Sequence, residues 1–265
     1  MLGNTKISFV FALFFLIQSL PAVADSISGG PRAILFDVMG TCVEVTSSLA
    51  ADGERWGKEH QIKGHWEQFA EAWVNDHVET IGQIVEGKLP WLSTDTIHRR
   101  ALPGLIDSVL RPDRPLSRFD LEEINQFWTL LNPWPDTDQG LRLLHETAGL
   151  VAFTNADTRL LEAMSEFAGL TWNKLVSADE IHFYKPDPRF YAYAEEKLRL
   201  KPDEVLLVAA HPYDLRAAKA MGWRTAFIKR PGEYDPRDAE NASTEFDFVA
   251  PDFVDLARQL SARYR

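Results

Sequence analysis

Several polar residues in this chain stand where apolar runs end, and their types can carry nucleophilic and acid–base chemistry. Asp37 closes AILFD and leads through a glycine turn to Thr41; Thr154 and Asn155 close LVAFTN; Lys185 stands in YKPDPRFY; AAHPYD carries His211 and Asp214. A carboxylate at the end of a buried run has to be hydrogen-bonded, paired with a cation, or used. Asp37 is the candidate nucleophile, because a carboxylate can displace a leaving group at carbon or phosphorus and water can then open the ester. Lys185 beside it would keep it ionised against burial. Asp214 is expected to hold Lys185 or to place the hydrolytic water, and its plainer reading is a cap for the next helix. Thr41 and Thr154 have hydroxyls suited to orienting the nucleophile or binding an oxyanion, and Asn155 has an amide for a departing anion; capping accounts for all three as well. Tyr191, six residues after Lys185, either returns to the site or packs the core, and His211 lies either in the pocket or against a neighbouring loop.

These positions need a scaffold that brings distant strand ends together. Apolar runs recur at 33–37, 150–155, 174–179, 204–210 and 225–229, with helical patterns over Thr158–Ala168, Pro188–Leu198 and Leu215–Met221, the last stopped by Gly222. Strands alternating with helices predict an α/β fold, a Rossmann-like parallel sheet covered on both faces, with its chemistry at the carboxyl ends of the strands. The segment from 46 to 133 reads instead as amphipathic helices, among them 64–87, 93–110 and 117–132. It predicts an all-helical cap inserted after the first strand, with core segments 25–45 and 134–265 and a proline-rich return hinge at LNPWPDTDQG.

The N-terminus has Lys6, an apolar stretch from Ile7 to Leu20, and Ala22-Val23-Ala24, which is the pattern of a secretory signal over residues 1–24 cleaved after Ala24. The expected location is secreted or periplasmic, with no stable membrane association once the signal is removed. A formal net charge of −11 argues against nucleic acid as a partner. The partners expected are a small anionic substrate and, in an assembly, a second copy of the chain. Cys42 is the single cysteine, so neither an intrachain disulfide nor a cysteine-rich zinc site is available.

The ordered set of strand-end Asp, Ser/Thr, Lys and acidic loop resembles the haloacid dehalogenase superfamily, and more closely its type II branch, the (S)-2-haloacid dehalogenases. Lys185 to Tyr191 is similar to that branch's Lys-Pro-Asp-x-x-x-Tyr segment, and Asp214 to the single late aspartate of its fourth loop. The resemblance implies attack by Asp37 on carbon 2 of a 2-haloacid, loss of halide, and hydrolysis of the aspartyl ester to a 2-hydroxyacid without metal or cofactor. A phosphatase of the superfamily needs a second acid two residues after the nucleophile to protonate an alkoxide, together with Mg²⁺; here that position is Met39, and Ala209, Ala210 and His211 precede Asp214. Three departures from the branch stand out. Val74 follows Trp73 where the branch carries a halide-binding arginine, Met39 replaces a frequent tyrosine, and Thr154-Asn155-Ala156-Asp157 replaces a commoner Ser-Asn-Gly. Arg99 or Arg100 is the expected substitute cation. The competing readings are a magnesium-dependent phosphatase and a secreted binding protein on a non-catalytic scaffold.

Overall fold

The computed structural model describes residues 29–233, 237 and 241–264; the expected signal segment lies outside them. Strands β1 (Ala33–Phe36), β2 (Gly149–Thr154), β3 (Lys174–Ser177), β4 (Val205–Ala209), β5 (Arg224–Ile228) and β6 (Phe248–Ala250) form one sheet in the order β3-β2-β1-β4-β5-β6. All pairings are parallel. β6 was not visible as a strand in the sequence: three residues are too few to show a period.

Period-two alternation sends side chains of one strand to opposite layers. Ile34 and Phe36 join one core with α5 (Thr137–His145), α6 (Thr158–Ala168) and the C-terminal helix Phe253–Tyr264. Leu35 joins another with α7 (Pro188–Leu198) and α8 (Pro212–Ala220). Both faces are therefore covered, and the strands are apolar throughout as a two-sided parallel sheet requires.

Between β1 and β2 run α1 (Thr46–Glu59), α2 (Trp66–Val85), α3 (Thr94–Leu105) with a π turn over Ile106–Leu110, and α4 (Arg118–Asn125) with a 3-10 turn over Gln126–Thr129. Their apolar faces share a core rich in aromatic rings, in which Trp73 meets Trp128 edge-on at 5.5 Å. Two junctions tie these helices to the sheet. Asp157 accepts hydrogen bonds from the Thr94 and Asp95 backbone at the start of α3, at 2.9 Å each, so a carboxylate neutralises orphan amides at that helix N-terminus. On the return path Trp134 Nε1 donates to Gly40 O at 3.0 Å and Thr137 Oγ1 to Cys42 O at 2.8 Å, which fastens the proline-rich segment to the turn after β1.

Arg230, buried after β5, completes this second junction. Its guanidinium donates to both oxygens of Asp136, at 2.6 and 3.0 Å, and to Thr41 O at 2.9 Å, and stands over the rings of Trp134 and Phe253. The turn that presents Asp37 is thus clamped from outside the sheet by an ion pair.

Candidate active site

The sheet order places β1 between β2 and β4, so the chain leaves β1's carboxyl end beside the loops that follow both neighbours. A crevice opens at this kind of reversal in strand order. Asp37 follows β1 and its backbone N–H still donates to Val208 O, at 3.0 Å, which carries the nucleophile candidate to the floor of the crevice. Gly40, at φ +78°, makes the turn that returns Thr41 to Asp37.

Three donors converge on the Asp37 carboxylate. Lys185 Nζ donates to Oδ1 at 2.8 Å; Thr41 Oγ1 donates to Oδ2 at 2.8 Å and His211 Nδ1 contacts the same oxygen at 2.7 Å. Burial alone would raise the Asp37 pKa, yet Lys185 and His211 outweigh it and hold the carboxyl well below the usual range. Lys185 is buried and stays charged because the neighbouring carboxylates of Asp214 and Asp37 overcome its desolvation. His211 follows the same logic: burial opposes its charge, and Asp37, then Glu233, raise its pKa to about 10.

Asp214 lies beneath this layer, wholly buried, accepting from Lys185 Nζ at 2.6 Å and from the Tyr191 hydroxyl at 2.6 Å. It is the third residue of α8, which begins three residues before the expected Leu215, so helix capping is not its role. Tyr191 does not reach the cavity as a substrate contact; it packs in the core and fixes Asp214. Thr154 is corrected in the same way, for its buried hydroxyl oxygen accepts from Ala156 N at 3.1 Å and it is absent from the cavity wall. Asn155 does line the cavity; its Oδ1 accepts from Lys185 N at 2.8 Å, which turns the amide nitrogen away from that bond. Met39 and His211 line it too.

The cavity measures about 690 Å³ and is roofed by α2, with Val74, Val78, Ile81 and Val85 facing the sheet. Neither Arg99 nor Arg100 belongs to its wall; Arg99 pairs with Asp95 and Glu122 on the outer side of the helices, so the expected substitute for an arginine at position 74 is not there. Two features had no sequence signal. Glu233 comes to 3.6 Å from His211 Nε2 from a loop after β5 that has no periodic pattern. In the roof, His77 Nδ1 and His98 Nε2 are 3.0 Å apart, and the His98 ring stacks on Trp128 at 3.8 Å. They lie on different helices, α2 and α3, so no local period in the sequence pairs them. No group of three or more His, Cys, Asp or Glu side chains among the described residues is placed to hold a metal ion.

A profile of haloacid dehalogenase-like hydrolases matches residues 31–222, a span that includes Asp37, Thr41, Lys185 and Asp214. The chain belongs to that family. This haloacid dehalogenase-like hydrolase is 26% identical over 219 residues to the (S)-2-haloacid dehalogenase 4A of Burkholderia cepacia, covering 76% of this chain and 84% of that enzyme. A crystal structure of an L-2-haloacid dehalogenase superposes with a TM-score of 0.81 at 39% identity, covering 88% of this chain and all of that one. The L-2-haloacid dehalogenase of Xanthobacter autotrophicus, solved with chloropropionic acid covalently bound, superposes with a TM-score of 0.71 at 25% identity, covering 88% of this chain and 99% of that one. These relatives set the hydrolase in the type II, (S)-2-haloacid dehalogenase-like branch.

Proposed function

We propose that this hydrolase removes halide from small 2-haloacids, with Asp37 attacking carbon 2 and water opening the resulting aspartyl ester to give the 2-hydroxyacid. The observation that carries the reading is a carboxylate at the cavity floor, held by Lys185, Thr41 and His211, with Met39 where a leaving-group acid would stand. A halide departs without a proton, so displacement at carbon needs only the carboxylate, a dry wall and donors for the anion. The relatives named for this reaction, one with covalently bound chloropropionic acid, support it.

Lys185 orients and keeps Asp37 ionised; Asp214 and Tyr191 position Lys185 from below; Thr41 fixes the rotamer of Asp37. With valine at position 74, recognition of the anionic substrate and the leaving halide falls to the Asn155 amide, to the two cations at the floor, Lys185 and His211, and to Arg216 on the wall. The phosphatase alternative finds a poor donor set, since the oxygens of Asp37 and Asp214 that would hold Mg²⁺ are engaged by an ammonium, two hydroxyls and an imidazole. Export with cleavage after Ala24 belongs to the same proposal, and N-terminal sequencing of the protein recovered from its host tests it.

The deciding experiment is halide release from both enantiomers of 2-chloropropionate and from haloacetates by the chain from residue 25 on, beside Asp37→Asn. Release that vanishes in Asp37→Asn is the expected result. Turnover retained in that variant rejects the nucleophile assignment, and magnesium-stimulated phosphate release with no halide release would favour the phosphatase.

A further inference from the structure

We infer that His211 and Thr41 together form the oxyanion site for the second half-reaction, with Glu233 positioning His211 and holding its proton. The inference rests on the aspartyl-ester reading and adds a role for a histidine and a glutamate that the nucleophile, lysine and lower aspartate do not account for.

The two oxygens of Asp37 are not equivalent. Thr41 Oγ1 accepts the Ala210 N–H at 2.9 Å, so its own proton is directed at Oδ2, 2.8 Å away. His211 Nδ1 reaches the same oxygen at 2.7 Å, while Oδ1 receives Lys185 Nζ alone among the described residues. Oδ1 therefore keeps the lone pair that attacks, and Oδ2 becomes the ester carbonyl.

The electron count then fixes what His211 does. Oδ1 bonds to carbon 2 as the carbon–halogen bond breaks and its pair leaves with the halide. Water oxygen next bonds to Cγ and the carbonyl pair moves onto Oδ2. On collapse the Cγ–Oδ1 bond breaks and Oδ1 leaves as the product hydroxyl; one water proton ends there and the other passes to solvent. Asp37 is regenerated with the water's oxygen in place of Oδ1. Oδ2 is neutral in the ester and anionic in the adduct, so donors already aimed at it bind the transition state more strongly than the ester.

Such a donor has to keep its Nδ1 proton after alkylation has removed the charge on Asp37. Around the ring stand Asp37, the Lys185–Asp214 pair, the Tyr213 phenol, Arg216 on the cavity wall, and Glu233, whose carboxylate lies 3.6 Å from Nε2. Once Asp37 is an ester and Asp214 remains tied to Lys185, Glu233 is, among the described residues, the carboxylate facing His211. The turn is built around this pair: a Cβ on Gly40 would lie 2.4 Å from Glu233 Oε2 and 3.0 Å from His211 Cε1, so Gly40 provides the space as well as the positive φ.

Rapid-quench kinetics with 2-chloropropionate, together with intact-protein mass, test the inference on His211→Ala and Glu233→Gln. In His211→Ala steady turnover should slow by roughly 10²–10³-fold, at least about tenfold more than release of the first equivalent of halide, which also loses a donor to Asp37. A mass adduct on Asp37 should accumulate. In Glu233→Gln, ester hydrolysis should lose its alkaline limb at lower pH than in the native protein, because a less strongly held His211 proton is lost earlier. Equal slowing of the first equivalent and of steady turnover, without adduct, overturns the inference and leaves the ester reading standing, as does an unmoved pH profile in Glu233→Gln. Turnover retained by Asp37→Asn overturns the ester reading and the inference with it.

Discussion

The Asp37 carboxylate and the two cations that hold it, Lys185 and His211, each have their own expected signature. Asp37→Asn keeps the shape and removes the nucleophile, so kcat should fall by at least about 10⁴-fold, as for other enzymes stripped of their covalent group; steady-state halide assays check this. Lys185→Met leaves Asp37 and Asp214 buried without their shared cation, and breaking a buried pair from one side costs about 3–5 kcal/mol, measurable as a lower urea midpoint. For His211 the sign follows from its raised pKa, about 10 in the folded chain. Its contribution to stability is fully present below the unfolded value of about 6.5 and is lost as pH rises toward 10. The stability gap between the native protein and His211→Ala should accordingly be wider at pH 6.5 than at pH 10.

At the scale of elements, the roof over the site carries a titration of the opposite sense. Burial pushes His77 down to about 4 and, with the neighbouring His77, pushes His98 well below its ordinary value. Both rings are neutral in the folded chain, so the unfolded chain takes up more protons as the pH drops below about 6.5, and the stability present above that value is lost on the way down toward pH 4. Melting temperature should drop between pH 7 and pH 5, and the drop should shrink in a variant carrying His77→Leu and His98→Leu. The Asp157 bond to the start of α3 is the other device at this scale. Asp157→Ala removes a carboxylate from two helix amides and should cost about 1–2 kcal/mol.

The whole molecule sets what can enter. A cavity of about 690 Å³, walled on the roof side by Val74, Val78, Ile81 and Val85, offers more room than a three-carbon acid fills. Each methylene added to the substrate's chain should bury apolar area against α2 and lower KM, by up to about fourfold per methylene if burial is complete. Comparing 2-chloropropionate, 2-chlorobutanoate and 2-chlorohexanoate checks this, and a KM that rises along the series would show that the α2 wall excludes the chain instead of receiving it.

Much of this was legible in the residues themselves. Asp37 ends an apolar run, Thr41 follows it through a glycine turn, Lys185 lies in the loop after the third strand and Asp214 in the first turn of a helix, and these signals are local: a period of two or of 3.6 and the turn residues that end it. Five of the strands, the helical insertion and the type II likeness follow from such signals. Tertiary structure decided what depends on partners far apart in the chain. Thr154 and Tyr191 have the chemistry of substrate contacts and were assigned to the core only by packing; Arg99 has the charge to replace an arginine at position 74 and was turned outward by Asp95 and Glu122. Glu233 reaches His211 only because the order of strands lays the loop after β5 over Gly40. Sequence spacing fixes which groups leave the carboxyl end of each strand, since backbone periodicity is local; which of those groups touch is set by strand order and side-chain packing, which are properties of the folded chain as a whole.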